Sequence, residues 1–175
     1  MKHLLICASL AVLAAGCTPM NDETATASMP SDATPTAAMP YVAMAGSSDM
    51  YEIESSRLAL QRAQTPAVRQ FAQMMIDHHT MTTQQTMQAV QAAGMTPPPP
   101  ALLPPQRAML DELQPVMGAD FERAYLQQQR TAHQMALALH RNYARSGDTA
   151  QLRQTAGTAV PVVQRHIDQL KSMPS

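Results

Sequence analysis

Residues 66–94 read PAVRQFAQMMIDHHTMTTQQTMQAVQAAG, and this stretch decides the fold class. Thr65 followed by Pro66 is typical of a helix start, because the first turn needs no partner for the missing proline N–H. Apolar side chains then recur at intervals of three and four residues, the period of an α-helix with one buried face. Gly94 is typical of the residue that ends a helix. The sequence therefore predicts one long helix over residues 66–93.

The helical period continues on both sides of this segment. Three further long helices are predicted over residues 47–63, 121–146 and 149–172, and a short one over residues 106–114. No run alternates between apolar and polar residues for long enough to be a strand. We therefore predict an all-α fold, an up-and-down four-helix bundle over residues 46–173 with a short extra helix before the third long helix.

Polar caps and breakers set the predicted helix ends. Ser47 or Ser48 is expected to cap the first helix, Asp120 the third and Asp148 the fourth. Pro161 predicts a kink or a restart within the last helix. The prolines at 97–100, 104 and 105 predict a stiff connection that can return the chain along the bundle.

The N-terminus has the pattern of an export signal. Lys2 and His3 precede an apolar run that ends in small residues before Cys17, and the run is too short for a membrane span. The small residues before Cys17 resemble a bacterial lipobox, although Ala14 stands where leucine is usual, so an ordinary signal cleaved at another small residue remains the alternative. Thr18 resembles the outer-membrane sorting pattern. We expect a lipoprotein signal peptide over residues 1–17, a lipid on Cys17, a disordered Pro/Ala/Thr/Met tether over residues 18–45, and a position on the outer membrane facing the periplasm.

Composition excludes several function classes. The chain has 12 Lys and Arg against 13 Asp and Glu without a basic cluster, which argues against nucleic-acid binding. Its two cysteines fall in the signal segment, so neither a disulfide nor thiolate catalysis is expected in the exported domain. The expected partner is the membrane, through the lipid anchor; a protein partner and a homo-oligomer are left open.

Histidine and glutamate residues are predicted to face the bundle interior. At about 100° per residue, His79 falls in the middle of the apolar stripe of its helix, and His166 falls beside the stripe of the last helix. Glu54 is predicted to face inward and Glu52 outward, while His140 is expected at the periphery. Side chains projecting from several helices form the metal sites of helical bundles. The candidate metal ligands are Glu54, His79, Glu122, His133 and His166, with His78, Met75 and Met81 as secondary candidates.

These residues allow two interpretations. Imidazole and carboxylate groups suit copper, zinc or iron, so one transition-metal ion is a possible cofactor. Alternatively, the same groups form a buried hydrogen-bond network in a structural or partner-binding protein. An enzyme is not favoured, and no catalytic residue is assigned: no glutamate is followed three residues later by histidine, as di-iron carboxylate bundles require. The methionines are better explained as core residues than as ligands.

The chain resembles the family named domain of unknown function 4142. The resemblance rests on Glu52-Ile53-Glu54, on Phe71-Ala72 through Met75-Ile76-Asp77 to His79-Thr80, and on Gly118, Phe121-Glu122-Arg123-Ala124-Tyr125, His133, Pro161 and His166. It covers about residues 45–172 and implies an exported protein with a ferritin-like helical bundle, without an established biochemical role. The His78-His79 pair, where the family commonly has an acidic residue first, resembles domain of unknown function 305, for which copper or silver handling has been suggested. Asp is also more common in the family where Glu122 stands.

Overall fold

The computed structural model describes residues 34–173, and within this part of the chain every regular element is a helix. The predicted signal peptide over residues 1–17, the predicted lipid on Cys17 and residues 18–33 of the predicted tether lie outside the described residues. The helices are α1 (Ala38–Arg62), α2 (Pro66–Ala92), α3 (Pro104–Leu113), α4 (Gly118–Ser146) and α5 (Ala150–Lys171). The all-α prediction is confirmed. Between residues 34 and 173, none of the helices has the length and hydropathy needed to cross a membrane.

The four long helices form a ferritin-like bundle with one long crossover. Each long helix packs against two others, in the cyclic order α1, α2, α5, α4, and the short α3 packs on α1 and α4. Glu122 at the start of α4 contacts Thr65 at the start of α2, so these two helices begin at the same end. Asp148, just before α5, likewise contacts Ala38 at the start of α1. The connection over residues 93–117 therefore returns the chain along the bundle, as its prolines predict, so α2 and α4 run in the same direction and the strict up-and-down alternation of the prediction is broken at this crossover.

Helix α1 begins earlier than the sequence predicts. It starts at Ala38, so residues 38–45, assigned to the tether, are helical. Ala38, Tyr41, Val42 and Ala45 are buried and extend the apolar face by two turns. Pro40 does not oppose this start, because it lies in the first turn, where a backbone N–H has no intrahelical partner.

The predicted first cap has a different role. Ser47 lies within α1 and is buried. Its hydroxyl accepts from the backbone N–H of Leu103 at 2.8 Å and donates to Gln106 Oε1 at 3.2 Å. The residue that looked like a helix cap therefore fastens the crossover connection to α1.

The other two predicted caps also differ. Helix α4 begins at Gly118, with Asp120 inside its first turn and paired with Arg123. Thr149 precedes α5, and the Asp148 carboxylate accepts instead from the backbone N–H of Ala38 at 3.2 Å. Both aspartates stay near a helix start, where negative charge is favourable, but neither is the N-cap.

The two largest apolar clusters of the core are separated by a polar layer, and two smaller ones, around Leu137 and Ile167 and around Tyr51 and Leu110, lie beside them. One cluster fills the end where α1 meets α2 and includes Phe71, Phe121, Tyr125 and Leu170. The other fills the opposite end and includes Tyr41, Val90, Leu139, Tyr143 and Leu152. The buried acidic and histidine side chains of α1, α2, α4 and α5 lie between the clusters. The fold thus places its ionisable groups halfway along the bundle.

Substitution by alanine should change the stability of the protein in opposite directions at two glycines. Gly46 is inside α1, where a Cβ would meet nothing within 4 Å among the described residues, so Gly46→Ala should raise the free energy of unfolding by about 0.5–1 kcal/mol. At Gly147 a Cβ would lie 2.5 Å from the ring of Tyr143, which is fully buried and stacked on Tyr41. Gly147→Ala should therefore lower it by about 1 kcal/mol or more.

Urea denaturation of both variants beside the parent chain measures these changes. Equal signs for the two substitutions would contradict this account of the packing.

Candidate metal centre

Four helices each contribute to the polar layer. Helix α1 supplies Asp49 and Glu52, one turn apart on the same face, and the other three supply one histidine each: His79, His133 and His166. All five residues are at most 5% exposed. Because charged groups are costly to bury without partners, this set must satisfy itself internally or bind an ion.

The three histidines converge. One ring nitrogen from each of His79, His133 and His166 lies within 4.8 Å of the corresponding nitrogens of the other two. The ring centroids are 5.7 Å apart for His79 and His133, 5.6 Å for His79 and His166, and 5.2 Å for His133 and His166. Three imidazoles from three helices therefore surround one point in the core.

A carboxylate orients His79. Nδ1 of His79 donates to Asp49 Oδ1 at 2.8 Å, and the Thr83 hydroxyl donates to Asp49 Oδ2 at 2.9 Å. Within residues 34–173, Nε2 of His79 is buried without a hydrogen-bond partner. A carboxylate on one ring nitrogen and an open opposite nitrogen is the arrangement found at metal-binding histidines.

His133 is oriented by the backbone. Its Nδ1 donates to the carbonyl of Gln129 at 2.8 Å and lies 3.5 Å from Glu52 Oε1. Its Nε2 lies 3.2 Å from Nδ1 of His166. The second carboxylate oxygen of Glu52 is buried and lacks a hydrogen-bond partner among the described residues. The layer therefore contains two buried atoms, on His79 and Glu52, whose bonding capacity is unused.

The surroundings shift the histidine pKa values in different directions. Burial lowers the pKa of His133, and the charge of Glu52 opposes this only in part. Burial and the neighbouring cations, including the other histidines, lower the pKa of His166 to about 2. Burial also acts to lower the pKa of His79, but the hydrogen bond and charge of Asp49, with the charge of Glu52, raise it overall. His133 and His166 are thus neutral at pH 7, the form that can ligate a metal.

Glu54, a predicted ligand, is on the surface. Its carboxylate pairs with Arg57 at 3.1 Å, and 45% of its side chain is exposed. The predicted inward orientation of Glu54 was wrong because the prediction oriented the helix from residue 47 onward. With α1 extended to Ala38, the buried positions Ala45, Asp49 and Glu52 share one face, and Glu52 takes the inward position. Sequence reasoning missed Asp49 and reversed Glu52; the helical spacing of these two residues from Ala45 was the available signal.

Glu122, another predicted ligand, is away from the histidines. Its Oε1 accepts from the backbone N–H of Thr65 at 2.7 Å and from that of Gln64, and its Oε2 accepts from the Thr65 hydroxyl at 2.6 Å. It therefore closes the N-terminus of α2, where unsatisfied N–H groups and the helix dipole favour a carboxylate. Glu122 is a capping residue supplied by another helix.

The secondary candidates separate into different environments. Nδ1 of the partly buried His78 lies 2.8 Å from Nε2 of His166. Met75 is fully buried in the apolar cluster with Phe71 and Leu170, and Met81 is 54% exposed. His78 therefore adjoins the three converging histidines, whereas Met75 is a residue of the apolar core.

A cavity borders the polar layer on the α1–α2 side. It has a volume of about 420 Å³ and is walled by both apolar and polar side chains of the two helices and by Pro98, Pro99 and Pro100 of the crossover. Asp49 also lines it, so the residue that orients His79 is adjacent to open space. Of the five residues of the layer, only Asp49 lines the cavity, so the cavity adjoins the layer at the residue that orients His79.

His140 is buried rather than peripheral. It is 4% exposed and lies near the second apolar cluster, where its Nδ1 and the Tyr41 hydroxyl form a hydrogen bond of 3.0 Å. Burial lowers its pKa to about 4. This histidine joins α1 to α4.

Sequence comparison places the chain in a family. The family described as Domain of unknown function (DUF4142) matches residues 23–173. The chain belongs to this family. The resemblance seen in the sequence is confirmed. No curated protein matches this DUF4142 chain.

Solved structures share the fold. CopM in its Cu(II)-bound form matches with a TM-score of 0.66 at 19% identity, over 78% of this chain and 94% of that one. CopM in its Ag-bound form matches with a TM-score of 0.64 at 20% identity, over 78% and 93%. A DUF305 fragment from Deinococcus radiodurans gives a TM-score of 0.67 at 17% identity, over 77% and 93%. At these identities the likeness establishes the fold, and the similarity to DUF305 extends beyond the helix that carries His78-His79.

Glu122→Gln should destabilise this DUF4142 domain in a pH-dependent way. Burial alone would raise the pKa of the Glu122 carboxyl, but hydrogen bonds from Thr65 and Gln64 lower it below its ordinary range. The substitution should lower the free energy of unfolding by about 0.5–1.5 kcal/mol at pH 7. The deficit should disappear as the pH falls through the folded-state pKa, because the protonated carboxyl then resembles the amide.

Urea denaturation at pH 7 and pH 3 tests this expectation. Glu54→Gln is the matched control, because its exposed pair with Arg57 should contribute less than about 0.5 kcal/mol. A deficit of the same size at both pH values would show that the charge of Glu122 is not what stabilises α2.

His140 should make the protein acid-sensitive. Its folded-state pKa of about 4 is below the unfolded value of 6.5, so the unfolded chain takes up a proton first as the pH falls. Stability should therefore be lost between about pH 6.5 and 4, and His140→Gln should reduce that loss by roughly 1–3 kcal/mol. Denaturation midpoints at pH 7, 5.5 and 4.5 give the comparison; parallel pH profiles for the parent and variant would refute this role.

Proposed function

We propose that this DUF4142 protein binds one transition-metal ion in the middle of its bundle, through His79, His133 and His166, without catalysing a reaction. The observation that carries the proposal is the convergence of three buried imidazoles, one of which has an unused ring nitrogen. Glu54 and Glu122, the other predicted ligands, have no part in it.

The donor set fits such an ion. Imidazole nitrogens bind zinc at about 2.0–2.1 Å, so two nitrogens on one tetrahedral ion lie roughly 3.3 Å apart. Nε2 of His133 and Nδ1 of His166 are already 3.2 Å apart, and the nitrogens of all three rings lie within 4.8 Å of one another, so binding requires only a small approach of the rings. His79 is held by Asp49, and His133 by the Gln129 carbonyl, each through the nitrogen that points away from its neighbours. These bonds fix the rings in the orientation that ligation requires.

Charge balance favours a divalent cation. Asp49 and Glu52 are both buried, and their ion-pair partners within the described residues are His79 and His133. A divalent ion offsets two buried carboxylates, whereas the neutral imidazoles of His133 and His166 cannot. Glu52, with one oxygen lacking a partner among the described residues, is the carboxylate available to complete the coordination or to bond the ligands.

Copper(II) is the first ion to test, followed by zinc and iron. Imidazole and carboxylate donors suit all three, and copper(II) binds such sites most tightly among the divalent ions of the series. CopM, which shares the fold, has a Cu(II)-bound form. The placement of Met75 in the apolar cluster and Met81 on the surface favours a nitrogen and oxygen site over a thioether site for Cu(I).

The cell envelope is the proposed location. We propose that the domain is exported, anchored by lipid at Cys17 on the outer membrane and exposed to the periplasm, because residues 1–17 have the pattern of a lipoprotein signal. The domain would then hold a metal ion outside the cytoplasm, close to a membrane surface.

A second function is supported by the hydrogen bonds themselves. His166 lies within hydrogen-bond distance of both His133 and His78, and His79 bonds to Asp49. In this alternative, the layer is a network that stabilises a structural or partner-binding envelope protein. The network alone leaves Nε2 of His79 without a partner within residues 34–173, which favours the metal.

Metal content distinguishes the two functions. Residues 18–175, which retain the whole of α1, should hold about one ion per chain after loading with copper, zinc or iron and desalting. His79→Ala and His166→Ala should lose the ion because each removes a converging nitrogen, and Glu54→Ala should retain it because Glu54 is on the surface. The bound ion should also raise the unfolding temperature of the parent chain.

Failure to retain any ion would overturn the metal proposal. The network alternative then requires His79→Ala to lower the free energy of unfolding by the same amount with and without a chelator, by about 1–3 kcal/mol.

A further inference from the structure

Three imidazoles form a continuous chain from the edge of the bundle to its core. Nδ1 of His78 lies 2.8 Å from Nε2 of His166, and Nδ1 of His166 lies 3.2 Å from Nε2 of His133. Nδ1 of His133 ends the chain at the carbonyl of Gln129, 2.8 Å away. His78 is partly buried, whereas His133 and His166 are buried, so the chain leads inward.

The carbonyl at the inner end fixes every proton in the chain. A carbonyl oxygen only accepts, so Nδ1 of His133 carries hydrogen and Nε2 of this neutral ring has a lone pair. Nδ1 of His166 must then donate to that lone pair, which leaves Nε2 of His166 as an acceptor. Nδ1 of His78 must donate to it in turn. Without a metal, all three rings therefore carry their proton on Nδ1.

This proton arrangement conflicts with metal binding at one atom. The nitrogen of His166 that faces His133 is Nδ1, because Nε2 is turned toward His78. A metal ligand needs a lone pair at that position, and in the metal-free chain it carries hydrogen. His166 can ligate only after its proton is on Nε2, and then Nδ1 of His78 must accept.

His78 is placed to make that exchange. The planes of His78 and His166 are inclined by 13° with centroids 5.1 Å apart, so two nearly coplanar rings meet edge to edge and each can donate to or accept from the other. In the exchange, His166 loses the proton of Nδ1 to solvent and gains one at Nε2 from Nδ1 of His78. His78 regains a proton at its own Nε2 from solvent, so the total number of protons on the two rings is unchanged.

We propose that His78 is a positioning residue: it sets which nitrogen of His166 carries hydrogen and thereby controls whether the three core histidines can bind a metal ion. The inference rests on the proposed function, although its first part concerns the metal-free protein. Histidine serves here because it can act as donor in one state and acceptor in the other. At position 78, a residue that only accepts hydrogen bonds should keep the proton of His166 on Nε2 and the site ready for a metal. A residue that neither donates nor accepts should not support that state, and metal binding should weaken.

Nitrogen-15 NMR of the histidine rings tests the metal-free part. In metal-free residues 18–175 at pH 7.5, His78, His133 and His166 should each give the signature of hydrogen on Nδ1. In His78→Glu, whose carboxylate only accepts, His166 should change to hydrogen on Nε2 without any metal. Hydrogen on Nε2 of His166 in the parent chain, or an unchanged ring in His78→Glu, would overturn the proposal.

Titration with Zn(II) and Cu(II) tests the metal-bound part. His78→Phe should bind each ion about 10–100-fold more weakly at unchanged stoichiometry, the usual effect of losing a partner behind a ligating histidine. His78→Glu should restore at least the parent affinity, which a merely structural role would not produce. Asp77→Asn, a neighbouring exposed change, is the matched control and should bind like the parent.

The two proposals fail in different ways. If the parent chain binds neither ion, the proposed function fails, and the NMR result still stands by itself. If the parent binds an ion and His78→Phe and His78→Glu bind it equally well, His78 does not control the site.

Discussion

The hydrogen bond between Asp49 and His79 is the constraint on which the rest of the structure depends. The Asp49 carboxylate is buried between two apolar clusters, which is costly unless a donor meets it, and the donor comes from the neighbouring helix α2. The bond fixes the axial position of α1 against α2. A slide of one helix past the other by a single turn would break the pair of hydrogen bonds that His79 and Thr83 donate to Asp49, and it would disrupt the apolar clusters at both ends. The polar layer therefore sets the register that nonspecific apolar contacts leave open.

Carboxylates also join neighbouring helices at each end of the bundle. Glu122 joins α4 to the start of α2, and Asp148 joins the turn before α5 to the start of α1. In each case the carboxylate accepts hydrogen bonds from backbone N–H groups at the start of a helix that is distant in sequence. Helices that start at the same end are thereby held level, so the end contacts support the same register as the polar layer.

The fold was accessible from sequence because helical period and helix breakers are local signals. Residues 66–93 and Gly94 predict α2 almost to the residue, since Pro66 and Gly94 mark its ends. The start of α1 was missed because Pro40 and the small residues around it resemble a linker. Only the packing of Tyr41 and Val42 against another helix makes that segment helical.

The site was only partly accessible, for related reasons. His79, His133 and His166 stand beside or within apolar stripes, so their inward positions follow from period alone. Glu54 and Glu52 compete for the inward position on one helix, and the error about where α1 begins reversed them. Glu122 was assigned to the core because its helix face carries histidine and leucine. Its contact with Thr65 depends on how two distant helix starts meet, which no local pattern contains.

The entry of the chain into the bundle has a mechanical consequence. The carbonyl of Thr36 accepts from the backbone N–H of Asp148, and that of Thr34 accepts from the side chain of Asn142, so the segment before α1 is fastened to the corner between α4 and α5. A pulling force applied at Thr34 is therefore shared between that corner and the first turn of α1. The force therefore acts at one end of the bundle, and the apolar cluster that includes Tyr41 and Tyr143 lies between that end and the histidines. Tension on the N-terminal segment would fray that end before it separated the rings at the centre.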